Sequence, residues 1–292
     1  MKKMKKLLAL VTVLVMGAAL MVGCGKANEE SGTKGVASGD KAWAEDVQII
    51  VDRGVLHVGV KNAVVGFGYQ DPLTNEYSGL EITLAEKIAE YLGVEVEFTA
   101  VTAATRTELL DSGDLDCVLA TFTITDERRK SWDFSTPYFT DYVTVLVENS
   151  SGITKLADLL GKTIGVSSGS TSAKALVSAM IEGGIINGDN FNADTFDPST
   201  WTEGVAFQQY DDYPTISTAL SAGTVDAFCV DKSILSIYNT DGRSYIEDKF
   251  APQEYGVATV KDSDFSTLVD ELIAGWLADG TIKSLITENG LD

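Results

Sequence analysis

The sequence predicts an α/β fold of two similar lobes, each a mixed sheet flanked by helices, joined by two crossover strands. Three observations carry this. Residues 110–121 read LDSGDLDCVLAT and residues 220–231 read LSAGTVDAFCVD, so Leu, Gly and Asp recur at matching places and an apolar strand follows each Asp. Each copy has its own strand opener upstream, GVLHVGV at 54–60 and GKTIGV at 161–166. The stretch YGVATV at 255–260 mirrors YVTVLV at 142–147, which reads as two paired strands crossing between the lobes. A chain of 292 residues is long enough for two lobes.

The repeat sets the ends of its two central strands across a cleft, with Thr121 corresponding to Asp231. Open α/β sheets bind ligands beyond the carboxyl ends of their strands. After the strand 115–119 come hydroxyls at Thr121, Thr123 and Thr125 and a cation at Arg128. Residues 109–147 therefore read as the floor of a small-molecule site.

Composition narrows the partners. The formal net charge is −21, which argues against nucleic acid and against membrane binding through a basic patch. The chain opens on MKKMKK, followed by LLALVTVLVMGAAL and then MVGC at 21–24. A basic start and an apolar run too short to span comfortably mark a processed signal. The segment resembles a bacterial lipoprotein signal, residues 1–23, with Cys24 as the lipid-modified first residue; Met21 stands where Leu is usual. Removal of its four lysines takes the formal charge from −21 to −25. Cys117 and Cys229 fall in apolar strands of different lobes and read as small buried hydrophobes. His57 is the only histidine and no metal-ligand spacing occurs, so neither a metal, another cofactor nor a His-based triad is expected.

The elements follow in order. Residues 24–42 are a flexible tether, rich in Gly, Ser, Lys and Glu. A helix runs from Trp43 to about Asp52 and stops at Gly54. Strand 55–60 ends at Lys61, and 62–79 carries turn signals at Asp71-Pro72 and Asn75. Leu80, Leu84, Ile88, Ala89 and Leu92 share one helical face, closed by Gly93. Alternation makes 94–101 a strand, and Thr105–Asp111 is a short helix feeding the central strand. Ile153–Leu160 reads as a short helix closed by Gly161. Strand 162–166 runs into Ser168, Gly169, Ser170 and Thr171 at a helix N-terminus, a place suited to an anion or to plain N-capping. Residues 182–205 have no clean period and read as a surface excursion. Helix 214–222, strand 225–230, a helix over 232–238 and closing helices 264–279 and 281–288 complete the chain. The first lobe is then 43–143 with 254–292, and the second is 148–250.

Residues 45–288 resemble the solute-binding proteins of polar amino-acid ABC transporters, extracellular family 3. The resemblance rests on NEYSGLEITLAEKIAEYLG at 75–93, TFTITDERRKSWDFSTPYF at 121–139 and VDAFCVDKSIL at 225–235. VGVK at 58–61, Thr105-Arg106 and DYP at 212–214 bring it nearest to the aspartate- and glutamate-binding members. It implies a type II periplasmic-binding-protein-like fold and a monomeric, lipid-anchored protein on the outer face of the cell membrane. It also implies ABC permease subunits as partners and no catalysis.

The resemblance also implies a ligand scheme. The α-carboxylate of an acidic amino acid meets Arg128, Thr123 and the N–H groups around Ser170 and Thr171. Its ammonium meets Asp231 and the Ala120–Thr121 backbone. Its side-chain carboxylate meets Arg106 with Lys61 nearby, and Tyr213 contacts the ligand. The 182–205 excursion is expected to leave these residues untouched. The chemistry agrees: arginine gives bidentate geometry to a carboxylate, and an ammonium needs an acid. A receptor or adhesin of the same fold is an alternative. A dehydratase-like enzyme would need an acid or base above its substrate, where Asp231 instead matches the ammonium position.

Overall fold

A computed structural model describes residues 42–292. The signal peptide, Cys24 and nearly all of the tether lie outside the described residues. In chain order the elements are α1 (Glu45–Arg53), β1 (Val55–Val60), β2 (Ala63–Val64), β3 (Gly68–Gln70), β4 (Tyr77–Ser78), α2 (Leu80–Leu92), β5 (Glu95–Ala100), α3 (Thr105–Asp111), β6 (Cys117–Leu119), β7 (Trp132–Phe134) and β8 (Phe139–Glu148). They continue with β9 (Lys162–Ser167), α4 (Ser172–Glu182), β10 (Val205–Tyr210), α5 (Tyr213–Ser221), β11 (Ala227–Asp231), α6 (Lys232–Leu235), β12 (Arg243–Tyr245), β13 (Phe250–Tyr255), β14 (Ala258–Val260), α7 (Asp264–Ala278) and α8 (Thr281–Glu288). The first sheet has the order β5-β1-β6-β14-β7; the second has β10-β9-β11-β8-β12, with β13 also on β8. Strands β2 to β4 form a small third sheet. Helices flank both large sheets, so the fold is α/β with two lobes.

The sequence repeat has a physical basis. Parallel strands β5, β1 and β6 in the first lobe match β10, β9 and β11 in the second. Gly113 and Gly223 both take left-handed φ, 78° and 68°, where a side chain would be strained. Leu110 and Leu220 are both buried. Asp116 accepts from the His57 N–H at 2.8 Å, and Asp226 accepts from the Thr163 N–H at the same distance. The Asp116 and Asp226 amides donate back to His57 and Thr163. Each repeated Asp thus aligns a central strand with its parallel neighbour, which fixes where that strand ends.

Helix α2 buries Leu80, Ile82, Leu84, Ala85, Ile88, Ala89 and Leu92 and ends on Gly93 in the left-handed conformation. A fully buried leucine contributes roughly 1.5–3 kcal/mol, so this face firmly fixes the helix start and the residue it carries there, Glu81. Cys117 and Cys229 are buried free thiols in different sheets. Helix α7 packs on α1 and β14, and α8 on α2, so both closing helices belong with the first lobe.

Two expectations are corrected. The segment expected as helix 153–160 forms only a 3-10 turn over Leu156–Leu159. Asp158 Oδ2 gathers the N–H groups of Thr154 and Lys155, which confines the segment to one turn. The strands expected to pair, 142–147 with 255–260, do not. The crossover pair is β8 with β13, Phe139 opposite Tyr255 and Phe250 opposite Val143. Pro252 has no N–H, and the register shifts there with Ala251 at φ 48°. Beyond Gly256, β14 joins the first sheet between β6 and β7.

Candidate functional site

The residues expected to meet the solute lie at or just after the carboxyl ends of central strands or at helix starts beside them. Lys61 follows β1, Arg106 lies in the first turn of α3, and Ala120 to Arg128 follow β6. Ser170 and Thr171 precede α4, Tyr213 opens α5 and Asp231 ends β11. The first lobe supplies three cations and the second supplies Asp231.

The cations are held close together. Arg106 is 3% exposed. Its Nη1 donates to Ala120 O at 2.8 Å and to Thr121 O at 3.3 Å. The guanidinium lies 3.7 Å from the centre of the Phe122 ring, and that of Arg128 lies 4.7 Å from the same ring. Two guanidinium groups on one aromatic ring attract the ring and repel each other. Burial lowers the Arg106 pKa to about 10. Burial first, then the Arg106 charge, lowers Arg128 to about 9. Lys61 is 4% exposed, and burial, followed by Arg106, holds its ammonium well below the usual lysine range.

A buried acid sits among them. Glu81 Oε1 accepts from the Thr121 N–H at 2.6 Å and from the Tyr138 hydroxyl at 2.6 Å. Its carboxyl is raised chiefly by burial, against the pull of these donors and of Lys61 and Arg106. Across the cleft, Asp231 Oδ2 accepts from the Tyr255 hydroxyl at 2.6 Å. Burial raises Asp231 to about 7, and Asp141 behind it adds to the shift. Asp141 is itself satisfied by the Ser233 N–H and hydroxyl.

The lobes touch. Arg128 Nη1 donates to Thr123 O at 2.7 Å within its own lobe, while Nη2 donates to Gly169 O at 3.0 Å in the other. Lys61 Nζ stands 5.5 Å from the centre of the Tyr213 ring. Gly169 has φ 73°, and a Cβ there would lie 2.8 Å from Ala103 O of the first lobe. The Thr171 hydroxyl donates to Gln253 Oε1 at 2.7 Å. Four buried side-chain atoms in this region have no hydrogen-bond partner among the described residues: Glu81 Oε2, Arg106 Nε, Ser170 Oγ and Asp231 Oδ1. A buried polar atom left unpaired costs roughly 1–3 kcal/mol, so these atoms make the region a candidate for receiving a polar solute.

The Ala120–Thr121 backbone is already partly engaged within the protein. Both carbonyls are engaged by Arg106, Ala120 O also accepts from the Thr121 hydroxyl, and the Thr121 N–H is given to Glu81. Thr123 keeps its role open. The bonds Ile124 N–H to Glu254 O and Gly256 N–H to Phe122 O flank its bridge to Tyr255. In that antiparallel geometry the Thr123 N–H points away from the pairing edge. The 182–205 excursion also departs from expectation. Ala193, Asp194, Phe196 and Pro198 line a cavity of about 570 Å³ at the cleft mouth together with Thr123, Arg128, Ser170 and Thr171. Packing of Phe196 against Phe191, Trp201 and Phe207 holds the excursion in place.

Sequence reasoning missed Glu81, Phe122, Tyr138, Gln253 and Tyr255. One signal was available for Glu81: an acid between the buried Leu80 and Ile82, in the first turn of a helix where the dipole favours it.

The model of bacterial extracellular solute-binding proteins, family 3, matches residues 56–290. The glutamine-binding protein of Geobacillus stearothermophilus is 31% identical over 266 residues, 88% of this chain and 92% of that protein. The glutamate-binding protein GluB of Corynebacterium glutamicum is 28% identical over 271 residues, 87% of this chain and 84% of its own. An ancestral arginine-binding protein, solved bound to glutamine, superposes with a TM-score of 0.68 at 29% identity, covering 82% of this chain and 99% of that one.

Proposed function

We propose that this chain, which belongs to the bacterial extracellular solute-binding proteins of family 3, carries an acidic amino acid to the membrane subunits of an ABC importer. Family and relatives make it the extracytoplasmic amino-acid-binding component of such an importer, a binding protein and not an enzyme. The relatives do not choose the solute, since one is named for glutamine and another for glutamate. The charge of the cleft supports the choice.

Three cations, Lys61, Arg106 and Arg128, share the cleft with two carboxylates, Glu81 and Asp231. An amino-acid backbone brings a carboxylate for Arg128 and the Ser170–Thr171 end, and an ammonium for the open oxygen of Asp231. That leaves Lys61 and Arg106 facing Glu81, one positive charge in excess whenever Lys61 carries its proton. Protonation of either acid only increases the excess. A side-chain carboxylate neutralises it and holds the proton on Lys61 against the burial that lowers its pKa. Glutamine would set an NH₂ against donors and leave the excess buried, a penalty of a few kcal/mol. Arginine would add to it.

Calorimetry of the purified full chain in detergent tests this against glutamate, aspartate, glutamine, cystine and arginine. Glutamate or aspartate should bind at least about 100-fold more tightly than glutamine, which is ~2.7 kcal/mol. A preference for glutamine, cystine or arginine sinks the acidic reading and leaves the binding-protein assignment standing. We also place the lipid anchor on Cys24, supported by the basic start, the short apolar run and MVGC. Cys24→Ala should abolish incorporation of labelled lipid; persistent labelling would reject Cys24 as the site.

A further inference from the structure

The chain enters α4 through Ser170 and Thr171, residue types that cap helices by accepting from the free N–H groups of the first turn. Neither does so here. The Thr171 side chain makes no cap bond, and Ser170 Oγ is buried without a partner among the described residues. The Thr171 hydroxyl donates instead to Gln253 Oε1 at 2.7 Å. Gln253 is 4% exposed and lies on β13, the crossover strand, opposite Asp141 of β8. Its other amide atom is engaged as well. Nε2 donates to Ala251 O at 2.8 Å and to Pro252 O at 3.3 Å, where the register shifts and Ala251 takes φ 48°. With two carbonyls on Nε2, Oε1 is the end that faces Thr171. A hydroxyl has one proton to give, and that of Thr171 is committed to the crossover strand. The first N–H groups of a helix have no acceptor within it, so those at the start of α4 stay open to an anion. Gln253, Thr171, Ser170 and Arg128 line one cavity.

We propose that Gln253 is a positioning residue for the carboxylate end of the solute. From the crossover strand it draws the Thr171 hydroxyl away from the helix end, and so keeps the start of α4 uncapped and in place beside Arg128. This rests on the α-carboxylate lying at the Ser170–Thr171 end, and not on the acidity of the solute's side chain. Gln253 acts through Thr171 rather than by touching the solute. Loss of its bond should therefore weaken recognition of the α-carboxylate alone. Reading of the side chain by Lys61 and Arg106, which belong to the first lobe, should stay as it is.

The test uses the purified full chain in detergent and calorimetry with three solutes: glutamate, its α-amide isoglutamine, and glutamine. In the wild type the α-amide should bind at least about tenfold more weakly than glutamate. Gln253→Leu should lower the glutamate-over-isoglutamine affinity ratio at least about fivefold and keep the glutamate-over-glutamine ratio within about twofold. Thr171→Val removes the hydroxyl and leaves the Gln253 amide on Ala251 and Pro252. It should change the two ratios in the same way, even if Gln253→Leu folds poorly. The double variant should fall no lower than the worse single one, because both remove the same bond. An equal loss for all three solutes would show a structural role only and would overturn the proposal. Unchanged ratios in both single variants, or additive losses in the double one, would overturn it too. So would a wild type that binds the α-amide as tightly as the free acid. If the wild type prefers another amino acid, the acidic reading fails alone. The same variants, read on the ratio between that amino acid and its own α-amide, still decide the role of Gln253.

Discussion

Replacing Lys61 with glutamine separates solute selection from the architecture of the cleft. Arg106 is a poorer choice, since its Nη1 holds two main-chain carbonyls and its loss would disturb the turn at Thr121. Lys61 lies over the Tyr213 ring and has no such anchoring duty. Burial and two guanidinium groups already drive its ammonium towards the neutral form. A lysine whose pKa is lowered by folding favours the unfolded state below that ordinary pKa, so its removal should leave the ligand-free Tm unchanged or higher. Glu81 keeps its donors from Thr121 and Tyr138. A bound carboxylate, by contrast, loses a charge-assisted hydrogen bond of about 2–3 kcal/mol, or roughly 30- to 150-fold in affinity. Glutamine has no such carboxylate, so its affinity should change by less than about threefold. Calorimetry of Lys61→Gln with both solutes, beside thermal unfolding of the ligand-free protein, reads all three quantities. An unchanged glutamate affinity, or an equal loss for both solutes, would refute the role of Lys61 in reading the side chain.

Two further outcomes follow from the geometry. Asp231 is raised to about 7 by burial, so the closed, ligand-free form gains stability as pH falls through 7 towards the ordinary carboxyl range, while an ammonium needs the ionised acid. Affinity should therefore weaken as pH drops below about 7, approaching tenfold per unit, and the ligand-induced rise in Tm should shrink; a flat affinity between pH 5.5 and 8 would contradict this. Gly169→Ala places a Cβ 2.8 Å from Ala103 O and at φ 73°, so it should weaken every solute at least about tenfold by hindering closure. An affinity equal to wild type would show that the lobes close without this contact.

Much of this site was legible because the chain states its architecture twice. The recurring Leu, Gly and Asp have identical structural tasks in both lobes, so the register between Thr121 and Asp231 could be read before any coordinates. What lay beyond reach was the filling of each hydrogen bond. Nothing in the pattern ATFTIT shows that the Ala120 and Thr121 carbonyls are taken by Arg106, because that depends on a left-handed turn unusual for threonine. Glu81 was hidden by its own helix: its neighbours Leu80, Ile82 and Leu84 define a core face, and an acid beside them reads as solvated. The crossover strands were mispaired because YVTVLV and YGVATV are alike in hydropathy. Pairing was decided instead within β13, where Pro252 lacks an N–H and the register shifts, and which ends at Tyr255 before Gly256. The excursion misled for a related reason, since its aromatic contacts bring a polar segment to the cleft mouth without any periodic signal.

The crossover pair also forms a wall of the site. On β13, Tyr255 lies opposite Thr123, which follows the central strand of the first lobe, and its hydroxyl reaches Asp231, at the end of the central strand of the second. Two residues earlier, Gln253 holds the Thr171 hydroxyl at the start of α4. The Tyr255 ring stacks on Phe139 of the opposing crossover strand, and Phe67 meets both rings edge-on. The strand that links the two sheets thus carries the side chains that bond the acid and the helix start of the second lobe. A hinge motion at this strand would move those groups, because their hydrogen-bond partners lie on it. If Asp231 receives the ammonium as proposed, its recognition is coupled to the seating of β13, since the Tyr255 hydroxyl that bonds Asp231 rides on the strand bridged to Thr123.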